Sequence, residues 1–393
     1  MIILHDAGAA GHCVKRLSRL LPGAPMKLAS YNLENLFLRA HALNGESWSE
    51  GKKALEAQAE LSAILGKPVY TAADKKKIIK LLGELKLEKS DDGGPFAILR
   101  QNRGHLVKRA KTGIEVVAGG RNDWIGWVEL KREEVNEEAT RNTARVIIDV
   151  DADVLGVIEA ESRPALVRFN DNVIKGEGGK PYAHAMLIDG NDDRGIDVGL
   201  YARAGYEIVA IHSHVDDADN TGRIFSRDCA HYEIRTPKGN LLHLLINHFK
   251  SKGFGSQTTS NAKRERQAAR VKQIYDALRK SDEHVAVIGD FNDTPDGAPL
   301  APLLLQTDLK DISEHARFDD GGRPGTFAAG AASNKIDYIL LSPALFAAAK
   351  GGGIFRKGVW GGKNGTLFPH YPEITKASEA ASDHAAIFAE IDV

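Results

Sequence analysis

The chain has 393 residues, 42% of them hydrophobic and 27% charged, which is ordinary globular composition with enough apolar material for a large core. A net charge of -1 argues against passive coating of nucleic acid, which draws on a basic excess, but not against a local basic patch. Two cysteines, Cys13 and Cys229, exclude a disulfide framework and lack zinc-site spacing, so a bound metal is expected on oxygen and nitrogen ligands.

In chain order, residues 1–25 read as a tail outside the fold. Their short apolar runs are broken by His5, Asp6, His12, Lys15, Arg16 and Arg19, so they do not form a secretory signal. No apolar run is long enough to span a bilayer, and the expected compartment is the cytoplasm. No obligate protein partner is evident. The folded domain is expected over 26–393, starting with a strand at "KLASYN" (27–32).

The stretch from about 41 to 142 breaks the rhythm of strands and reads as an insertion. It holds two helix-like segments, "KKALEAQAELSAIL" and "AADKKKIIKLLGELKLE". A basic segment follows, with Arg100, Arg103, His105, Lys108, Arg109 and Lys111, and then Trp124 and Trp127. Two readings stand: a solvated helical decoration, or an arm that docks substrate, since basic and aromatic residues together suit phosphate and base contact.

Beyond it, the helical pattern "EEATRNTARVIIDV" precedes a strand at "VLGVIEA" (154–160). Strands are then expected at "AMLID", "DVGLYA", "EIVAIHS", "LLHLLINH", "VAVIGD", "IDYILLS" and "AAIFAEI". Several are almost continuously apolar, the pattern of strands buried on both faces. The helix "NAKRERQAARVKQIYDALRK" is expected to bury Ala262, Ala269, Ile274 and Leu278. "HSHVDDAD" (212–219) is either a calcium site or a solvated hairpin tip, and "DDRG" (192–195) reads the same way.

Polar residues mark the ends of these runs: Asn32 and Glu34, Glu159, His248 and Lys250, Asp290 and Asn292, Asp337, and Asp383 with His384. An isolated acid beside a buried strand is costly unless it is paired or bound to a cation. Several of them converging on one rim would suit a hard divalent ion. Each also has a plainer reading, such as an Asx turn at Asp290–Asn292 ahead of Pro295.

The segments "SYNLENLF", "GVIEAES", "NHFKSK", "IGDFNDTP", "KIDYILLS" and "SDHAAI" occur in an order that resembles the endonuclease/exonuclease/phosphatase superfamily. The resemblance implies an α+β fold, a four-layer αββα sandwich of two mixed β-sheets flanked by helices. It implies hydrolysis of phosphate esters with magnesium or manganese. It also implies roles. Glu159 is the main metal ligand, Asn32 and Asp383 contribute to the metal site or its water network, and Glu34 supports it. Asp290 orients or deprotonates the attacking water. Asn292, His248 and His384 contact the phosphate, with Lys250 beside them, and Asp337 orients the His384 ring. A histidine at 248 matches the deoxyribonuclease and sphingomyelinase branches, where the abasic-site branch has a tyrosine. The expected activity is a metal-dependent phosphodiester hydrolase acting on nucleic acid. The alternatives are an enzyme for small or lipid phosphoesters and a catalytically inactive scaffold.

Overall fold

The computed structural model describes residues 24–34, 36, 48–111, 113–131, 136–192, 195–252 and 256–393. The predicted tail, apart from residues 24 and 25, lies outside the described residues, as does Cys13. Two compact units are present. One comprises the spans Met1–Glu34, Glu138–Lys250 and Asn261–Val393, and the other comprises Asn35–Glu137 and Ser251–Ser260.

In the first unit, alternating apolar side chains build two facing mixed sheets. The seven-stranded sheet runs Phe318–Asp319, Ala349–Phe355, Ala386–Ile391, Met26–Asn32, Val154–Ala160, Asp197–Ala202, His184–Leu187. The six-stranded sheet runs Lys310–Asp311, Asp337–Leu341, Val285–Asp290, Leu241–His248, Cys229–Arg235, Glu207–His212. In the first sheet Met26–Asn32 pairs in parallel with Val154–Ala160, and in the second Leu241–His248 pairs in parallel with Val285–Asp290. Leu28, Ile158 and Leu200 meet Leu244, Ile246, Ile288 and Ile339 in one core between the sheets. Each such side chain taken fully from water contributes about 1.5–3 kcal/mol. A Cβ on Gly156 would stand 2.5 Å from Ile288 Cδ1, so the sheets meet most tightly where a side chain is missing.

Helices cover both outer faces. Glu137–Val150 carries Thr143, whose hydroxyl donates to Ala381 O at 2.9 Å, and Asn142, whose amide donates to Glu379 O at 2.8 Å. Arg163–Arg168 lies outside the strand Asp197–Ala202, where Tyr201 donates its hydroxyl to Leu166 O at 2.6 Å. On the other side Gln257–Leu278 packs Ala268, Val271, Ile274 and Tyr275 against Leu245, Val287 and Leu340. This is the four-layer αββα sandwich expected from the sequence.

The buried face of that last helix differs from the expected one. Ala262 is exposed, whereas Arg264 and Gln267 are fully buried. Arg264 donates to Asp293 Oδ2 at 3.1 Å and to Lys250 O at 2.9 Å, and Gln267 accepts the Lys250 N–H at 2.8 Å. Hydrophobic periodicity misplaces the face because two of its inward positions are polar and take partners distant in sequence, with Asn261 as a further local acceptor for Arg264. The strand Glu207–His212 is also more exposed than its apolar run implied, because it forms the sheet edge.

The second unit has its own core. Helices Trp48–Leu65 and Ala72–Glu84 pack with the hairpins Ala97–Arg103/Ile125–Leu130 and Val107–Ala110/Gly113–Val116 through Leu61, Ile78, Leu82, Leu99, Leu106 and Val128. Thr71 caps the second helix in a reciprocal box with Asp74. Trp124 lies within this core and donates to Tyr70 Oη at 2.8 Å, so it offers no ring for stacking a base. Trp127, on the same hairpin, is 48% exposed. Of the basic residues, Arg100 pairs with Glu129 and Arg109 with Asp91, while Arg103 and Lys108 are exposed.

One buried acid makes the sandwich pH-sensitive. Asp197 accepts the Gly190 N–H at 2.8 Å, yet burial first, then the nearby carboxylates Asp189 and Asp192, push it up from 3.8 to about 7. A carboxylate raised on folding costs stability as pH climbs from about 4 to about 7, and the cost is complete above 7. Asp197→Asn keeps the acceptor and removes the charge. Its melting temperature should exceed the parent's by roughly 2 °C or more at pH 8. The advantage should disappear near pH 4. Equal differences at both pH values would show that ionisation of Asp197 is not the cause.

Candidate active site at the rim of the two sheets

The inward-facing positions of four strands end in polar residues. Along Val285–Asp290 the inner side chains are Ala286, Ile288 and then Asp290, and along Leu241–His248 they are Leu244, Ile246 and then His248. Asp337 opens the inner row that continues through Ile339 and Leu341, and Asn32 follows Leu28 and Ser30. Register places His248 beside Asp290 and Asp290 beside Asp337, so three side chains form one lateral row at the sheet's end. The facing sheet closes on that row: Asn32 Nδ2 lies 3.3 Å from Asp290 Oδ2 and 3.5 Å from His384 Nε2.

Two local distortions aim the remaining groups. The pairing of Val154–Ala160 shifts register between Ile158 and Ala160, and Glu159 takes φ 63°. Such a bulge turns inward a side chain that simple alternation would send outward. Glu159 Oε1 stands 3.7 Å from His248 Nε2, which lies 3.6 Å from Asp290 Oδ2. Beyond the other strand, Asn292 takes φ 53°, donates its backbone N–H to Asp290 Oδ1 at 2.8 Å and its side-chain amide to Phe249 O at 3.3 Å. Gly289 permits this end of the strand: at φ 135° any Cβ would collide with the Asn247 carbonyl.

His384 is held from both sides. Its Nδ1 meets Asp337 Oδ2 at 2.8 Å, and the same carboxylate oxygen accepts the Thr326 hydroxyl at 2.5 Å. Its Nε2 lies 3.9 Å from Asp290 Oδ2 and 3.7 Å from Asp383 Oδ1. Glu34 Oε2 accepts the Asp383 N–H at 3.0 Å, and Glu34 donates its own N–H to Asn32 Oδ1 at 3.0 Å. Ser382 ties the strands together, donating to Asn32 O at 2.8 Å and accepting the His384 N–H at 3.0 Å. Lys250 is fixed through its backbone, between Gln267 and Arg264. Thus Asn32, Glu159, His248, Asp290, Asn292, Asp337, Asp383 and His384 come together, with Glu34 at the edge.

Thr326, Ser382 and the Arg264–Asp293 pair were not singled out from the sequence. Ser382 adjoins Asp383 and His384, and only that adjacency hinted at it. Thr326 lies outside any apolar run and is found only because the fold returns it to Asp337.

Charge in this cavity is unbalanced. Burial first, then the Asp337 carboxylate, push Asp290 up from 3.8 to about 7, while His384 and the Asn292 N–H pull the other way. His384 is held well above its ordinary value; burial opposes its charge, but Asp337, Asp383 and Asp290 together outweigh that. One oxygen or nitrogen from each of Asp290, Asp337 and His384 lies within 4.8 Å of the others. Two carboxylates in that trio, with Glu159, Asp383 and the Asn32 amide around them, make an oxygen-dominated donor set short of positive charge. Such a set fits a hard divalent cation.

The acidic segment 212–219 has a different arrangement. Asp217 pairs with Arg270 at 2.7 Å, Asp219 with Arg266 at 2.6 Å and Asp216 with Arg223 at 3.0 Å. Arginines already partner these acids, which favours the hairpin tip over a calcium site. In the neighbouring 192–195 segment, Asp192 pairs with the buried Arg227 at 2.9 Å, and residues 193 and 194 lie outside the described residues. No helix among the described residues is long and apolar enough to cross a membrane.

A family model described as endonuclease/exonuclease/phosphatase family matches residues 115–352, more than half of the chain. No curated protein matches. Similar solved structures include a mannosyl-6-phosphatase of Bacteroides thetaiotaomicron, at 16% identity and TM-score 0.48, covering 65% of this chain and 91% of that one. A truncated TDP2 of Caenorhabditis elegans is 15% identical with TM-score 0.44, covering 65% of this chain and 91% of the other. Sphingomyelinase C of Streptomyces griseocarneus is 17% identical with TM-score 0.44, covering 64% and 91%. The family match thus joins a two-sheet sandwich to an acid- and histidine-lined rim, and the chain belongs to the endonuclease/exonuclease/phosphatase family, whose members are metal-dependent phosphoesterases.

Proposed function

We propose that this chain is a divalent-metal-dependent phosphodiester hydrolase that acts on nucleic acid. The observation that carries the reading is the convergence of Asn32, Glu159, His248, Asp290, Asn292, Asp337 and His384 from two sheets onto one rim. Glu159, with Asn32 and Asp383 and with Glu34 behind them, would hold magnesium or manganese, which supplies Lewis acidity toward a phosphoryl oxygen. Asp290 takes a proton from the attacking water, the role of a carboxylate placed beside the reacting centre. His384 offers an Nε2–H to a non-bridging oxygen, with its Nδ1 fixed by Asp337. His248, Asn292 and Lys250 add donors where negative charge grows in the transition state. In-line displacement at phosphorus then breaks the ester bond.

A histidine at 248 supports a diester substrate, because it resembles the deoxyribonuclease and sphingomyelinase branches. The nucleic-acid reading draws on the exposed Arg103, Lys108 and Trp127 of the second unit. The test is hydrolysis of plasmid DNA, RNA, bis-p-nitrophenyl phosphate, p-nitrophenyl phosphate, inositol phosphates and sphingomyelin with magnesium or manganese. Nucleic acid should be cleaved fastest, and exclusive turnover of a monoester or of sphingomyelin would overturn the assignment. Arg103→Ala and Lys108→Ala should each weaken nucleic-acid binding, by a factor that shrinks as salt rises. Hydrolysis of the small diester should stay near the parent rate. Equal losses on both substrates would remove the docking role.

A further inference from the structure

The six-stranded sheet carries a second group of ligating side chains, on its outer face. His243 lies five residues before His248 on one strand, so strand alternation sends the two to opposite sides. His231 and Glu233 lie two apart on the adjacent strand, and Glu233 stands opposite His243 in register. His212, on the edge strand, stands opposite His231. Three neighbouring strands therefore bring three imidazoles and a carboxylate to one patch.

We propose that His231, Glu233 and His243 form a binding site for a divalent transition-metal ion of the zinc type, with His212 at its open side. One ligand atom from each of the three lies within 4.8 Å of the other two. His231 Nε2 and His243 Nδ1 are 2.9 Å apart. Two imidazoles on a tetrahedral zinc with bonds of 2.0–2.1 Å stand about 3.3 Å apart, so the rings need to part by only a few tenths of an ångström. His212 Nε2 lies 2.9 Å from Glu233 Oε1, within reach of a fourth position.

Two further features favour an ion over a bare hydrogen-bonded cluster. His243 Nε2 lies 3.4 Å from Asp282 Oδ1, leaving Nδ1 to face His231. A carboxylate behind the far nitrogen is the arrangement that orients a metal-bound imidazole and raises its basicity. Access also fits: His231 and His243 are each 4% exposed, while the His212 side chain is 51% exposed, so the patch is dry within and open at one edge. Imidazole with carboxylate suits zinc, cobalt or nickel, in contrast to the oxygen-rich rim around Asp290.

The experiment uses the full chain, stripped of metal and returned to millimolar magnesium. Zinc is titrated against a chromophoric chelator, and the absorption spectrum of added cobalt is recorded in parallel. The parent should bind one zinc that survives Glu159→Gln. His243→Ala and Glu233→Gln should each weaken that zinc by at least about tenfold and alter the cobalt bands. Zinc should also raise the melting temperature of the parent and not of His243→Ala. Glu233→Gln keeps side-chain volume at a partly exposed position, so it decides the matter even if His243→Ala fails to fold. Unchanged affinity in Glu233→Gln, or loss of the zinc in Glu159→Gln alone, would overturn the proposal.

Discussion

Asp290→Asn should reduce single-turnover hydrolysis of a diester by about 10²–10⁴-fold at saturating magnesium while leaving the fold intact. The carboxamide fills the same volume and can still accept the Asn292 N–H, so the shape is kept while proton acceptance is lost, and the loss grows if the cation is also disturbed. His384→Ala should cost roughly 10²–10³-fold, the scale for removing one donor to a developing oxyanion. The two groups stand 3.9 Å apart and, in the proposed mechanism, act on one transition state. The double variant should therefore lose less than the product of the single losses. Near-parental rates in Asp290→Asn would remove its catalytic role, and strictly multiplicative losses would make the two groups independent.

The second large effect concerns the cation. Excess chelator should abolish turnover, and magnesium or manganese should restore it. Glu159→Gln removes one negative oxygen from the donor set and should raise the magnesium concentration needed for half-maximal rate by tenfold or more, on the order of 1.4 kcal/mol or more in binding. Isothermal titration of magnesium provides a readout separate from activity. Full turnover in chelator, or unchanged magnesium affinity in Glu159→Gln, would contradict the assignment.

Much of this was legible in the sequence because the inner rows of the sheets are largely apolar except at the end that meets the rim. A run such as "VAVIGD" announces both a buried strand and a polar group at its exit. The helix Glu137–Val150 coincides with the predicted segment, since its apolar stripe is regular. Features that depend on distant partners were not legible. Arg264 looks like a solvated base until Asp293 is found beside it. Trp124 looked available for stacking until Tyr70 and the small core of the second unit enclosed it. The hairpins within 97–130 were read only as a basic segment with two tryptophans, because their strands are four to seven residues long and adjacent charges such as Lys108 and Arg109 break the alternation.

Of the six non-glycine residues with positive φ among the described residues, Glu34 at φ 51°, Glu159 at φ 63° and Asn292 at φ 53° border the rim. Asparagine visits that region readily, but glutamate is held there against a steric penalty on the order of 1 kcal/mol. Glycine would relieve the penalty at 34 and 159 and discard a carboxylate each time. At these two positions heat resistance and carboxylate content pull in opposite directions. A library of this chain ranked by thermal survival alone should enrich glycine at two residues proposed to serve the cation, so enrichment there would mark spent function rather than tolerance.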